Sequence, residues 1–173
     1  MKIIAFAGSS SKNSINKNLA TYAAGLFENA QVEVLDLNDY EMPLFSVDKE
    51  VIIGQHPLAK AFLEKIATVD LLVVSLAEHN GNYSTAFKNI IDWCSRINGK
   101  LFHEKLMLLM ATSPGARGGA SVLEIAKNNF PRFAADIKAV FSLPSFNDNF
   151  DVEKNCISNS ELNQQLKEII KSF

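Results

Sequence analysis

This chain has no Cys-x-x-Cys pair, no apolar run long enough to cross a bilayer and almost no excess of one charge. Its two cysteines, Cys94 and Cys156, stand too far apart in sequence for a metal or redox motif, so free thiols in a reducing compartment are expected. With 17 Lys and Arg against 19 Asp and Glu, the net charge is −2, and no basic cluster interleaves with aromatics as a stacking groove would. Nucleic acid is therefore not an expected partner. Crossing a bilayer takes roughly 18 or more apolar residues in a row. The N-terminus has only Lys2 before a short apolar stretch and no small-residue cleavage site, so a cytoplasmic protein without membrane segments is expected.

Several catalytic signatures are missing as well. There is no G-x-x-x-x-G-K-[ST] for a nucleoside triphosphate and no G-x-G-x-x-G for a dinucleotide pyrophosphate. Neither G-x-S-x-G, nor H-E-x-x-H, nor a His/Cys cluster at ligand spacing occurs, which removes the usual support for hydrolase and metalloenzyme chemistry.

What is present is a regular alternation. At 173 residues with 47% hydrophobic content, the chain suits one domain over 1–173 with a full core. Strands are expected at 2–7, 31–37, 70–76, 105–111 and 137–143, and helices at 16–27, 57–67, 84–97, 120–129 and 161–172. The segments 38–55 and 144–160 are expected to be connections. The strand at 70–76 is continuously apolar, as in the middle of a parallel sheet covered on both faces. Five strands alternating with five helices predict an α/β fold, a flavodoxin-like three-layer α/β/α arrangement with a five-stranded parallel sheet in the order 2-1-3-4-5. Ligands of such sheets bind beyond the carboxyl ends of the strands, where the loops after strands one, three and four converge. A receiver-type signalling domain shares the order but needs acidic residues where this chain has Gly8 and Ala77.

Those three loops are the unusual ones. The first, residues 8–16, is rich in hydroxyls and amides and meets a helix N-terminus. Unpaired N–H groups and the positive end of the helix dipole attract an anion there, and Ser9, Ser11, Ser14, Ile15 and Asn16 are candidate donors for one phosphate. Ser14 also has the simpler option of capping the helix. The second loop, residues 77–83, contains Glu78, His79, Asn80 and Gly81. Asn80-Gly81 suits positive φ, and His79 and Tyr83 offer flat faces; a plain surface turn is the alternative. The third, residues 112–119, offers Ser113, Gly115 and Gly118 to the edge of a planar ring. Trp93 is expected to be core or interface, and Phe45, Phe102, Phe146 and Phe150 either core or a contact between subunits.

The chain resembles the NADPH-dependent FMN reductase family of flavodoxin-like proteins. Gly8, Ser9, Ser14, Asn16 and Leu19 match that family's phosphate loop, G-S-x-R-x-x-S-x-N-x-x-L. Glu78, Asn80 and Gly81, followed by 87–96 with Lys88, Asn89, Asp92, Trp93 and Arg96, match its second signature. Residues 112–119 echo S-T-G-x-x-G-G, and Met42-Pro43-Leu44-Phe45 echo its L-P-x-F-D segment, so the matches span most of the chain. Ser11 departs from the usual Arg, His79 from a common Tyr and Ala77 from a Pro.

The resemblance implies FMN held by the three loops, NADPH as hydride donor and a small-molecule electron acceptor such as free flavin, a quinone or an azo compound. It also implies a homodimer or homotetramer that completes the flavin cleft. Lys12 and Arg117 are the cations available to a nicotinamide 2′-phosphate. No acid-base dyad is needed, because the cofactor carries the chemistry. A non-enzymatic FMN-binding electron carrier, or a regulatory flavoprotein, is the alternative.

Overall fold

A computed structural model describes residues 1–173. In chain order it contains β1 (Lys2–Gly8), α1 (Ile15–Gly25), β2 (Gln31–Leu35), α2 (Val47–Ile53), α3 (Pro57–Ala67) and β3 (Leu71–Leu76). Next come the short strands β4 (Glu78–His79) and β5 (Asn82–Tyr83), then α4 (Thr85–Ile97), β6 (Leu106–Thr112), α5 (Ala120–Asn129) and β7 (Asp136–Leu143). The C-terminal part holds α6 (Phe146–Asn149), β8 (Phe150–Asp151), β9 (Cys156–Ile157) and α7 (Ser160–Ile170).

Five strands form one parallel sheet in the order β2-β1-β3-β6-β7, which is the expected 2-1-3-4-5. Register places Gly8 beside Leu76 and Leu76 beside Ala111, so β1, β3 and β6 end at one level. The loops that follow them therefore emerge side by side, at the point where the strand order reverses.

Alternation along β1 and β3 sends side chains to opposite faces of the sheet. Ile4, Phe6, Leu72 and Val74 join one apolar core with Phe62, Phe87 and Trp93, while Ile3, Ala5, Leu71 and Val73 join another with Leu19, Phe141 and Leu166. β3 is buried along its whole length, as its continuous apolar sequence predicts.

Two stretches expected to be plain connections carry structure. Residues 38–55 include a 3₁₀ turn at Leu37–Tyr40 and helix α2, and residues 144–160 include α6 and the β8–β9 hairpin, so the chain has seven α-helices rather than five. Helix α2 escapes a search for core-facing periodicity because none of its residues is buried. The aromatic candidates for a subunit contact resolve mostly into core: Phe102 is 0%, Phe146 1% and Phe150 4% exposed. Phe45 is half-buried, its ring edge-on to the fully buried Trp93 at 5.1 Å. Aromatic residues mark large buried area whichever surface covers them, and here the chain itself covers three of the four.

Cys94 sits within the core on α4, its Sγ 3.6 Å from the Ala59 carbonyl oxygen, and burial pushes its thiol up to about 12. A thiol so far from ionisation is a poor nucleophile. A disulfide reagent is expected to titrate only the half-buried Cys156 in the native protein and both cysteines after unfolding. Two rapid equivalents from native protein would show that α4 opens.

Candidate functional site

The first loop ends in a cap. Ser14 is extended (φ −69, ψ 116), and its Oγ accepts from Lys17 N at 3.2 Å. Ile15 and Asn16 are thus the first two helical residues of α1, and their N–H groups have no acceptor within the helix. A cavity of about 190 Å³ opens in front of them. Ser9, Ser11, Asn13, Ser14, Ile15 and Asn16 line one side, and Ala77, Glu78, His79, Thr112, Ser113 and Pro114 line the other. All three loops therefore meet around one hollow.

Eight of the twelve candidates marked in the sequence lie in that lining, whereas Asn80, Gly81, Gly115 and Gly118 do not. Asn13, Ala77, Thr112 and Pro114 complete it, although none of them is among the twelve candidates. The available signal was position, since Asn13, Ala77 and Pro114 fall within loops that follow sheet strands and Thr112 ends β6.

Asn16 spends its amide on the scaffold. Its side chain is enclosed: Oδ1 accepts from Ser75 Oγ at 2.7 Å and from Thr112 N at 3.0 Å, while Nδ2 donates to Thr112 O at 3.1 Å. One side chain from α1 thereby ties together the ends of β3 and β6. Ser84, the cap of α4, adds a link to β1 by donating from Oγ to Gly8 O at 2.8 Å. What Asn16 still offers the cavity is its backbone N–H.

The second loop is the β4–β5 hairpin. Asn80 (φ 51) and Gly81 (φ 74) both take the left-handed conformation that a two-residue hairpin turn requires, as the Asn-Gly pair predicts. Side chains alternate along it, so His79 is exposed and Tyr83 is buried. Tyr83 offers no free face to the cavity: it stacks on Phe130 at 5.9 Å and meets Phe87 edge-on at 5.7 Å. Its hydroxyl is buried without a hydrogen-bond partner in bonding geometry, and burial pushes its pKa up. Glu78 turns its carboxylate onto α5, where Oε2 accepts from Val122 N at 3.0 Å. That placement supplies the cap that Gly119 lacks and sets a negative charge at a helix N-terminus.

In the third loop Gly118 is required by the protein's own packing. Gly118 has φ 55, and a Cβ there would overlap the Ser142 hydroxyl and lie 3.0 Å from the Pro144 backbone. Gly115, by contrast, is open, with the Ser113 Oγ 4.0 Å away as its nearest obstacle.

The cations divide into used and free. Lys17 bonds Asp36 at 2.6 Å, and that hydrogen bond holds the Asp36 carboxyl below the usual carboxylate range. Lys12 and Arg117 are exposed; Arg117 Nη2 donates to Ser121 Oγ at 2.7 Å and neither cation meets a carboxylate. The cradle is therefore built from neutral donors, with the positive end of α1 behind it.

Helix α4 explains the second signature in mechanical terms. Asn89 Nδ2 donates to Met42 O (3.0 Å) and Pro43 O (3.2 Å), and its Oδ1 accepts from Phe45 N (2.8 Å). Trp93 Nε1 also donates to Pro43 O (2.8 Å), and Arg96 Nε reaches both Glu50 oxygens. These side chains clamp residues 42–50 rather than lining the cavity.

Comparisons with known proteins agree with this architecture. The sequence model of the family described as NADPH-dependent FMN reductase matches residues 1–148. The chain is 27% identical over 187 residues to a protein of Oryza sativa subsp. japonica named probable NADPH:quinone oxidoreductase 1, covering 100% of this chain and 90% of that one. It is 32% identical over 122 residues to a 2-hydroxy-1,4-benzoquinone reductase of Burkholderia sp, covering 69% of this chain and 64% of that one. The structure of FerB, a flavoenzyme NAD(P)H:(acceptor) oxidoreductase from Paracoccus denitrificans, superposes with a TM-score of 0.77 at 20% identity, over 99% of this chain and 93% of that one. A family match over most of the sequence, on a sheet of the expected order with three loops converging on one cavity, gives the assignment: the chain belongs to the NADPH-dependent FMN reductase family of NAD(P)H-dependent flavoprotein oxidoreductases.

Proposed function

We propose that this chain reduces a small-molecule acceptor, a quinone by preference and free flavin or an azo compound otherwise, with NADPH as donor and FMN held at the junction of the three loops. The observation that carries the reading is the cradle of unpaired N–H groups at Ile15 and Asn16, flanked by the hydroxyls of Ser9, Ser11 and Ser14. Its donors fit a phosphate monoester, and Glu78, the one carboxylate in the lining, is committed to Val122. Held there, FMN would supply the redox chemistry, hydride transfer from NADPH and electron transfer to the acceptor.

The protein's own part is positioning. Ser9, Ser11, Ser14 and the first turn of α1 hold the phosphate. The exposed His79 face and the backbone at Asn80 and Gly81 would border the flavin ring, and Ser113, Gly115 and Gly118 belong to the third loop, which would hold its edge. N–H groups already fixed in place would stabilise negative charge on the flavin, so no general base is assigned. Ser11 leaves the cradle without a charged partner, and the exposed Lys12 is the nearest substitute in sequence. Quinones lead the acceptors because relatives of this chain carry that activity in their names. The same reading places one domain, three-layered with helices on both faces of the sheet, in the cytoplasm as a homodimer or homotetramer. Nucleic acid and membrane have no part in it, and no helix is long and apolar enough to cross a bilayer.

The test is anaerobic stopped-flow absorbance on protein reconstituted with FMN. NADPH is expected to bleach the flavin band rapidly, and a quinone to restore it. Bound flavin that bleaches slowly would replace the reductase with an electron carrier. Failure to retain FMN would overturn the reading.

A further inference from the structure

The chain contains two Asn-Gly pairs, 80–81 and 98–99, and the fold holds them differently. An asparagine followed by glycine is the least hindered setting for attack of a backbone nitrogen on the preceding side-chain amide, because glycine has no Cβ in the way. Closing that five-membered ring needs an amide side chain free to turn, a following N–H free of other bonds, and rotation about the asparagine Cα–C bond.

At 80–81 the first two conditions are met outright. Asn80 is exposed, and neither its side-chain amide nor the Gly81 N–H has a hydrogen-bond partner in the chain. Asn82 beside them is committed, its Oδ1 accepting from Tyr83 N at 2.8 Å. Rotation is opposed only by the β4–β5 ladder of two residue pairs, and so short a ladder is marginal by itself. A Cβ at Gly81 would meet nothing within 4 Å, so no packing holds the tip. The hairpin's anchors lie at its base, where Tyr83 stacks on Phe130 and Glu78 accepts from Val122 N.

At 98–99 the asparagine is tied down. Asn98 caps α4 in an extended conformation (φ −144, ψ 115), and its N–H donates to Cys94 O at 3.0 Å. Its Oδ1 accepts from Lys100 N at 2.9 Å, and its Nδ2 lies 3.5 Å from His103 Nε2. Rotation about the Asn98 Cα–C bond carries Lys100 away from Oδ1, so ring closure there gives up a hydrogen bond.

We propose that Asn80 is a site of spontaneous deamidation through Gly81, that Asn98 is protected from the same reaction, and that FMN held against the hairpin retards it. The Gly81 nitrogen gives its proton to water and bonds to Asn80 Cγ, while the Cγ–Nδ2 bond breaks and that nitrogen leaves as ammonia. Water then opens the ring. Cleavage at Cγ yields aspartate, and cleavage at the backbone carbonyl yields isoaspartate. One water is consumed and one ammonia released, with nothing oxidised or reduced. Either product sets a carboxylate at the tip, and isoaspartate also lengthens the main chain by one carbon in a turn that needs both of its residues left-handed. The modified hairpin therefore holds FMN less well. The retardation rests on the FMN reading above, whereas the deamidation does not.

The test incubates FMN-free and FMN-loaded protein in warm, mildly alkaline buffer and maps the peptides carrying residues 80 and 98 by mass spectrometry, with isoaspartyl methyltransferase labelling to separate the two products. In the FMN-free protein Asn80 is expected to convert at least about fivefold faster than Asn98, the factor that one ordinary hydrogen bond confers on an opening equilibrium. FMN is expected to slow conversion at Asn80, and FMN retention to fall in step with the isoaspartyl fraction. Asn80→Gln, whose ring would be one atom larger and close far more slowly, should lose none of its initial FMN retention during the incubation. Conversion at Asn80 no faster than at Asn98 overturns the proposal. Rapid conversion that bound FMN fails to slow overturns the retardation and the place of the hairpin beside the ring, and rapid conversion in protein that never retains FMN overturns the flavin reading while the modification site stands.

Discussion

Asn16→Ala is expected to destabilise the protein by about 3 kcal/mol, because buried donors and acceptors left without partners cost about 1–3 kcal/mol each. The substitution strands the Ser75 hydroxyl and both backbone groups of Thr112 where three strand ends meet the cradle. If the cradle holds FMN as proposed, FMN affinity should fall at least tenfold, since the N–H groups that would face the phosphate are held by the same junction. Asn16→Asp separates geometry from charge. It keeps an acceptor for Ser75 and Thr112 N, turns an oxygen against Thr112 O and adds a negative charge beside the proposed phosphate position. Its stability loss should therefore be smaller than that of the alanine variant and its loss of FMN greater. Thermal unfolding and fluorescence titration with FMN measure both; wild-type FMN affinity in Asn16→Ala would show that the cradle does not depend on this tie.

Gly118→Ala is expected to cost about 3 kcal/mol or more. A left-handed conformation costs a non-glycine residue about 1–2 kcal/mol, and here the added Cβ also overlaps the Ser142 hydroxyl and crowds the Pro144 backbone. It displaces the Ser142 hydrogen bond to Gly118 O as well, which spans 3.0 Å. Gly115→Ala is the control. With open space around it and no positive φ, its stability should stay within about 0.5 kcal/mol of wild type. If Gly115→Ala nevertheless weakens FMN, the ring passes over that backbone. If Gly118→Ala unfolds at the wild-type temperature, the loop after β6 is free to rearrange.

The two glycines illustrate where a sequence stops being legible. Both stand in one glycine-rich loop and support the same expectation of close approach to a ring. In three dimensions one approaches the protein's own β7–α6 connection and the other approaches nothing. A missing side chain announces room without saying what fills it. The hairpin after β3 divides similarly: Asn80-Gly81 dictated its turn locally, through positive φ, while the inward rotation of Tyr83 followed from a stacking partner 47 positions away at Phe130. Asn16 was legible as important, yet its partners at Ser75 and Thr112 become neighbours only when β3 and β6 lie side by side.

By itself the sequence determined what is periodic and local. Alternating apolar runs and helical stripes set five parallel strands and their order, the serine-rich loop met a helix N-terminus, and the matching motifs set the family. Only tertiary structure decided how side chains were spent: Asn16 on strand ends, Glu78 on the start of α5, Asn89, Trp93 and Arg96 on the segment that turns α2 outward. The physical reason is that backbone preference and burial pattern act over a few residues, whereas a polar side chain is satisfied by whichever partner the folded chain brings within about 3 Å.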